Sequence, residues 1–209
     1  PTLLIEDPLS STSSPTLLIE DPLVDELRPW IIPTEQYSGP FLDPTSPQSR
    51  ALEWLQTDSI TMSSGRSTKT ILQRYVLAVL FFSTSDADWP WPYLSEVDVC
   101  AWNEEYKVNG GGVFCTEDDE TVTKLDLNSK NLTGTLPWEL VLMTDLREIN
   151  LKSNRIYGTI PSRISELSML EIFWVWNNTL TGTLSSLLFA PAITSINLGG
   201  NRMAGPIPK

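Results

Sequence analysis

The sequence predicts an α/β repeat protein: a right-handed solenoid with parallel strands on its concave face, preceded by a helical amino-terminal cap. Three observations predict it. A unit of 23–24 residues recurs from Val122 to the end of the chain. Within each unit apolar and polar residues alternate over a strand-length stretch, and two segments ahead of the repeats have apolar residues at helical spacing.

Residues 1–44 read as an acidic, proline-rich extended tail. P-T-L-L-I-E-D-P-L occurs twice between Pro1 and Leu23, the copies separated by Ser10-Ser11-Thr12-Ser13-Ser14. That composition predicts a flexible spacer, or a docking segment that lays Leu3-Leu4-Ile5 and Leu17-Leu18-Ile19 on a surface. The prolines limit longer sheet pairing. From Val24 to Pro44 the chain is expected to run extended along the cap, with Trp30-Ile31-Ile32 as its dense apolar cluster.

Residues 45–121 read as the cap. Ser46 followed by Pro47 signals a helix start, since serine accepts from free N–H groups and proline suits the first turn. Ala51, Leu52 and Leu55 supply its buried stripe. After a polar loop, Thr68 to Ser83 predicts a second helix, with Leu72, Val76 and Val79 on one face and Ile71, Tyr75 and Phe82 beside it. Its run V-L-A-V-L-F-F is too short to span a bilayer. Trp89 and Trp91 are expected in the cap core. The run Glu117-Asp118-Asp119-Glu120 lacks calcium-loop spacing and reads as a solvated turn.

Residues 122–209 hold four repeats, the last incomplete and without a carboxyl-terminal cap. They begin V-T-K-L-D-L-N-S-K-N-L-T-G-T-L-P at Val122, L-R-E-I-N-L-K-S-N-R-I-Y-G-T-I-P at Leu146, L-E-I-F-W-V-W-N-N-T-L-T-G-T-L-S at Leu170 and I-T-S-I-N-L-G-G-N-R-M-A-G-P-I-P at Ile193. Leu125 and Leu127, Ile149 and Leu151, Phe173 and Val175, and Ile196 and Leu198 mark the inward side of short parallel strands. Asn154, Asn178 and Asn201 form a ladder whose amides can satisfy backbone groups buried by stacking. Lys130 replaces asparagine in the first coil, which predicts that this coil faces the cap. Gly134, Gly158, Gly182 and Gly205 recur where a turn needs positive φ or close backbone approach.

The composite L-x-x-L-x-L-x-x-N-x-L-x-G-x-I-P resembles the plant-type extracellular leucine-rich repeat. Upstream, Cys100-Ala101-Trp102 and Gly112-Val113-Phe114-Cys115 resemble the paired-cysteine cap of that family, with a longer, glycine-rich loop between them. S-P-Q-S-R-A-L-E-W-L-Q from Ser46 and I-L-Q-R-Y-V-L-A-V-L-F-F-S-T from Ile71 further resemble the helical cap of diatom leucine-rich repeat proteins. The resemblance implies that Cys100 and Cys115 close the cap with a disulfide. A loop of this size contributes about 3 kcal/mol in the chain-entropy model, and the bond implies an oxidising compartment. The sequons at Asn131 and Asn177 agree with passage through the secretory pathway. With no initiator methionine or signal peptide, the chain reads as processed or trimmed.

Net charge is −12. Such a surface repels phosphate backbones and anionic lipids, so neither nucleic-acid binding nor direct membrane insertion is expected. The chain has no histidine, and its cysteines are spoken for, which removes the commonest general base and a thiolate nucleophile. Glu104-Glu105 are neighbours in sequence, which does not set two carboxyls across one bond. No phosphate loop or metal-ligand spacing appears, so no enzyme activity, cofactor or metal is expected.

The outward strand positions carry the functional expectation. They are Lys124, Asp126 and Asn128; Glu148, Asn150 and Lys152; Ile172, Trp174 and Trp176; and Ser195, Asn197 and Gly199. The third strand is strongly apolar, and an exposed tryptophan pair is costly unless something covers it. Trp174, Trp176, Ile172, Asn150, Lys152 and Asn197 are therefore the expected partner-binding residues. The sequence supports a recognition module, extracellular or on the cell surface, that binds a protein or glycan ligand or another copy of the chain. The competing class is a structural subunit of a surface assembly.

Overall fold

Ser46 and Pro47 start a helix as their chemistry requires: the Ser46 hydroxyl accepts from the Ser49 N–H, and the helix runs Pro47–Thr57. It follows a shorter helix, Pro22–Ile31, and precedes a longer one, Thr68–Thr84; these are α2, α1 and α3. The computed structural model describes residues 22–31, 41, 43–63, 65–84, 98–101, 111–118, 120–183 and 190–205. The duplicated segment up to Asp21, Trp89, Trp91, Glu104, Glu105 and residues 206–209 lie outside the described residues.

Two local expectations need correction. Residues 22–31 are helical, not extended. Val24, Leu27 and Ile31 repeat at 3.6-residue spacing, and burying that stripe against the core outweighs the proline punctuation. Helix α3 is not amphipathic: every residue from Ile71 to Leu80 is buried, because α2, α1 and the first repeat surround it. Two of its polar members, Gln73 and Arg74, are satisfied inside. Arg74 makes a two-pronged ion pair with Asp58, Nε to Oδ2 at 2.8 Å and Nη2 to Oδ1 at 2.5 Å, with side chains 0% and 2% exposed. Asp58 also accepts from the Thr61 N–H, so the pair ties the loop after α2 to α3. Gln73 donates to the Glu120 carbonyl and accepts from the Val122 N–H at 2.6 Å, fixing the entry to the first repeat.

The repeats build two sheets. Strands β1 (Gly112–Cys115), β2 (Val122–Asp126), β4 (Glu148–Asn150), β6 (Ile172–Trp174) and β8 (Ser195–Asn197) form one, in the order β1-β2-β4-β6-β8. The repeat strands pair in parallel at offsets of 24, 24 and 23 residues, whereas β1 pairs antiparallel with β2. The second sheet, β3-β5-β7, is parallel and comes from Thr133–Thr135, Arg155–Thr159 and Thr179–Thr181. The glycine segments thus form strands of their own, which the spacing had not predicted. Short 3₁₀ turns, Trp138–Leu142 and Ser162–Glu166, close the first two coils.

A single apolar core runs from α1 to Leu180. Cap and repeats meet most tightly at Gly134, where φ is +142° and a Cβ would lie 1.9 Å from the Ser83 carbonyl oxygen. A side chain there would have to push the end of α3 off the first coil. Cys100 and Cys115 are disulfide-bonded, with Cα atoms 5.7 Å apart, joining the turn Val99–Ala101 to β1.

Candidate functional site

The strand register defines three rows of outward side chains on the five-stranded sheet. Lys124, Glu148, Ile172 and Ser195 align in the first, and Asp126, Asn150, Trp174 and Asn197 in the second. Backbone bonds from the Ser153 N–H to the Trp176 carbonyl and from the Asn177 N–H to the Gly199 carbonyl place Lys152, Trp176 and Gly199 in the third. Phe173 and Val175 point into the core, fully buried, so the alternation read from the sequence sets the faces correctly.

The first two coils are occupied with each other. Lys124 Nζ lies 2.9 Å from Glu148 and 3.6 Å from Asp126. Asp126 Oδ1 accepts from Asn128 at 2.6 Å and from Asn150 at 3.0 Å. Asn150, expected to be a contact residue, is only 3% exposed; its amide serves Asp126 and it offers little to a ligand. At the near edge of the face Arg147 pairs with Glu171 at 2.7 Å.

The third and fourth coils differ. Ile172 and Trp174 are half-buried, and the Trp174 indole N–H donates to Ser195 Oγ at 2.9 Å, which holds that ring down. Trp176 is 38% exposed. Lys152 is half-buried and Asn197 exposed. The structure therefore brings Trp174, Trp176, Ile172, Lys152 and Asn197 onto one surface.

Behind the face, the ladder bonds join the coils. Asn154 Oδ1 accepts from the N–H groups of Lys130 and Leu132, each at 3.0 Å, while its amide donates to the carbonyls of Leu127 and Leu151. Asn178 accepts from Ile156 and donates to Leu151 and Val175. Asn201 accepts from Leu180 and donates to Val175 and Leu198. Lys130 lies on the cap side, where a Cβ on Gly111 would meet its Cε at 3.2 Å.

The sequon asparagines Asn131 and Asn177 are both exposed, with φ of 58° and 56°. Ser129 and Ser153, at the repeat position of Asn177, share this left-handed conformation, as does Gly200. Serine gave no hint of it; the asparagine and glycine at that position were the available signal.

Other parts of the surface carry less chemistry. The acidic turn closes on itself, with Asp118 accepting from the Thr116 hydroxyl and the Glu120 N–H, contacts that hold its carboxyl below the ordinary range. Among the described residues no group of His, Cys, Asp or Glu is placed to hold a metal ion, and no helix is long and apolar enough to cross a membrane. A cavity of about 500 Å³ lies between α1, α3 and the convex turns, lined by Trp30, Leu72, Val141 and Met143. Its charged rim is closed by the pairs Lys69–Asp145 and Arg163–Glu166.

The sequence reading missed one buried acid. Glu139 is fully buried in the first 3₁₀ turn; Gln48 donates to its Oε1 at 2.8 Å, but its Oε2 and the nearby buried Tyr75 hydroxyl have no hydrogen-bond partner among the described residues. Burial raises the Glu139 carboxyl above its usual value, against the pull of Gln48. Burial, with the Glu139 charge adding to it, raises the Tyr75 hydroxyl well above its own.

A profile of the Leucine Rich Repeat family matches residues 145–167. No curated protein sequence is significantly similar to the chain. Among solved structures, the BIR2 ectodomain of Arabidopsis thaliana is similar over 64% of this chain and 69% of its own, with 27% identity and a TM-score of 0.54. A plant ice-binding protein is similar in fold over 68% of this chain and 44% of its own, with 21% identity and a TM-score of 0.53. The leucine-rich repeat ectodomain of the Arabidopsis thaliana receptor kinase GASSHO1/SCHENGEN3 aligns with 67% of this chain at 22% identity and a TM-score of 0.49. The chain spans 19% of that ectodomain's length. The fold is the leucine-rich repeat fold of plant ectodomains.

Proposed function

We propose that this chain is a non-catalytic recognition module, outside the cell or on its surface, that binds a protein or glycan partner through the third and fourth coils of its concave face. One observation carries the reading: Trp176 stays 38% exposed on a face where Lys124, Asp126, Glu148 and Asn150 are closed into their own polar network. A large aromatic surface left open beside a closed polar network is what interface anchors look like before a partner arrives. The Cys100–Cys115 disulfide and the likeness to the BIR2 ectodomain support the extracellular placement.

The test is Trp176→Ser, because Phe173 and Val175 fill the interior and the fold should survive. Ligands found on arrays of extracellular proteins and glycans should lose affinity by about thirtyfold, the scale of an interface anchor, while the thermal midpoint stays unchanged. Full affinity of the variant for every ligand found would refute the reading. An oligomeric wild type that the substitution converts to monomers, seen by light scattering, would favour a structural subunit instead.

A further inference from the structure

The third row of the concave face holds a feature that the recognition reading alone does not explain. Trp176 stands between Lys152 on one side and Gly199 on the other. Gly199 contributes no side chain, and a Cβ built on it would meet only the Asn197 Oδ1, at 3.6 Å. The indole thus borders a shelf with a backbone floor. Adjacent coils lie about 4.8 Å apart, so the shelf takes a flat, ring-sized group against the indole.

Two donors beside this shelf are unused. Asn197 spends its oxygen on the Gly199 N–H at 3.3 Å, and its amide nitrogen has no partner among the described residues. Lys152 has no ion pair or side-chain hydrogen bond among them, although every other charged group named on this face is paired. Asp126 and Glu148, the acids in the outward rows of this face, are committed to Lys124. An aromatic plane, a neutral amide donor and one unmatched cation together require a ligand with an apolar face, oxygen acceptors and a negative charge.

Resting on the concave-face reading, we infer that this shelf is a subsite for a uronic-acid-containing oligosaccharide. The C–H face of one pyranose ring lies on Trp176, its hydroxyls accept from Asn197, and its carboxylate pairs with Lys152. A neutral sugar would leave Lys152 unmatched. An acidic peptide would satisfy Lys152, but it gains less from a flat shelf with a single aromatic wall, and that outcome is kept as one arm of the test.

The experiment titrates the full chain, disulfide intact, with oligogalacturonate and with its methyl ester, which keeps the rings and removes the charge. Tryptophan fluorescence and calorimetry are the readouts. The acid should bind at least about tenfold more tightly than the ester. Lys152→Gln should abolish that preference without weakening ester binding, and Trp176→Ser should weaken both. Equal affinity for acid and ester, or no binding of either, overturns the inference. If neither saccharide binds but a protein or acidic peptide does, and Trp176→Ser weakens it, the saccharide assignment falls while the concave face stands. Saccharide binding unchanged by both substitutions places the site elsewhere and overturns both readings.

Discussion

Alanine at the three ladder asparagines should not cost equally, and the order follows from how their hydrogen bonds are shared. The Leu151 carbonyl accepts from Asn154 and Asn178, and the Val175 carbonyl from Asn178 and Asn201. Losing one asparagine therefore leaves those carbonyls served by the next, and the cost falls on the N–H groups that lose their acceptor. Asn154→Ala strips the acceptor from the N–H groups of Lys130 and Leu132 and an asparagine donor from the Leu127 carbonyl. Asn178→Ala strips it from Ile156, which is fully buried. Asn201→Ala strips it from Leu180, but Asn201 is itself only half-buried and water can replace it. At roughly 1–3 kcal/mol for each buried group left unmatched, the expected losses are about 3, about 2 and below about 1 kcal/mol. Equilibrium urea unfolding of the three variants at constant m-value measures this. An Asn201→Ala loss equal to that of Asn154→Ala would refute the shared-carbonyl account.

Further expectations concern the cap. Because burial holds the Glu139 carboxyl above its usual value, the folded state binds that proton more tightly; this contribution to stability is present at acid pH and is lost as pH rises through the folded pKa. Glu139→Gln should therefore be more stable than wild type at pH 8, by on the order of 1 kcal/mol, with the advantage shrinking toward acid pH, as read from thermal midpoints across pH. Arg74→Met, which leaves Asp58 buried without its cation, should cost about 3–5 kcal/mol in denaturant unfolding, whereas Lys69→Met at an exposed pair should cost less than about 1 kcal/mol. Deleting residues 1–21 should leave urea unfolding nearly unchanged. Deletion through Ile31 should cost several kcal/mol, on the order of 2–5 for each large core side chain removed, because Val24, Leu27 and Ile31 belong to the core; a harmless deletion through Ile31 would contradict that packing.

The repeats were legible because their signals are local and reinforced four times. Leu125, Ile149, Phe173 and Ile196 fix the inward face through simple alternation, and the asparagine spacing announces the ladder. Helix α1 was not legible, since its prolines suggested extension and its stripe of Val24, Leu27 and Ile31 gains meaning only once α3 and the repeats supply a surface to bury it. The second sheet escaped notice because T-G-T carries a glycine in mid-strand, which weakens an isolated strand; stacking of coils supplies the pairing. At the site, the tryptophans were visible as an apolar anomaly. The burial of Asn150 was not, because it depends on Asp126 one coil away. Nor was the pairing of Lys124 with both Asp126 and Glu148, which leaves Lys152 with no ion pair among the described residues.

The fully buried Glu139 under Gln48 and Tyr75 gives the chain a reading frame. Coils of one shared pattern invite an assembly error in which the second coil docks on the cap in place of the first, since both carry glycine at the position of Gly134. The residue one period after Glu139 is Arg163. Slipped by one coil, the structure would press a guanidinium against the Tyr75 hydroxyl and the Gln48 amide group that now donates to Glu139, and Asn154 would stand where Lys130 meets Gly111. An acid that looks like a cost in the correct fold would thus favour the first coil over its neighbour at the cap.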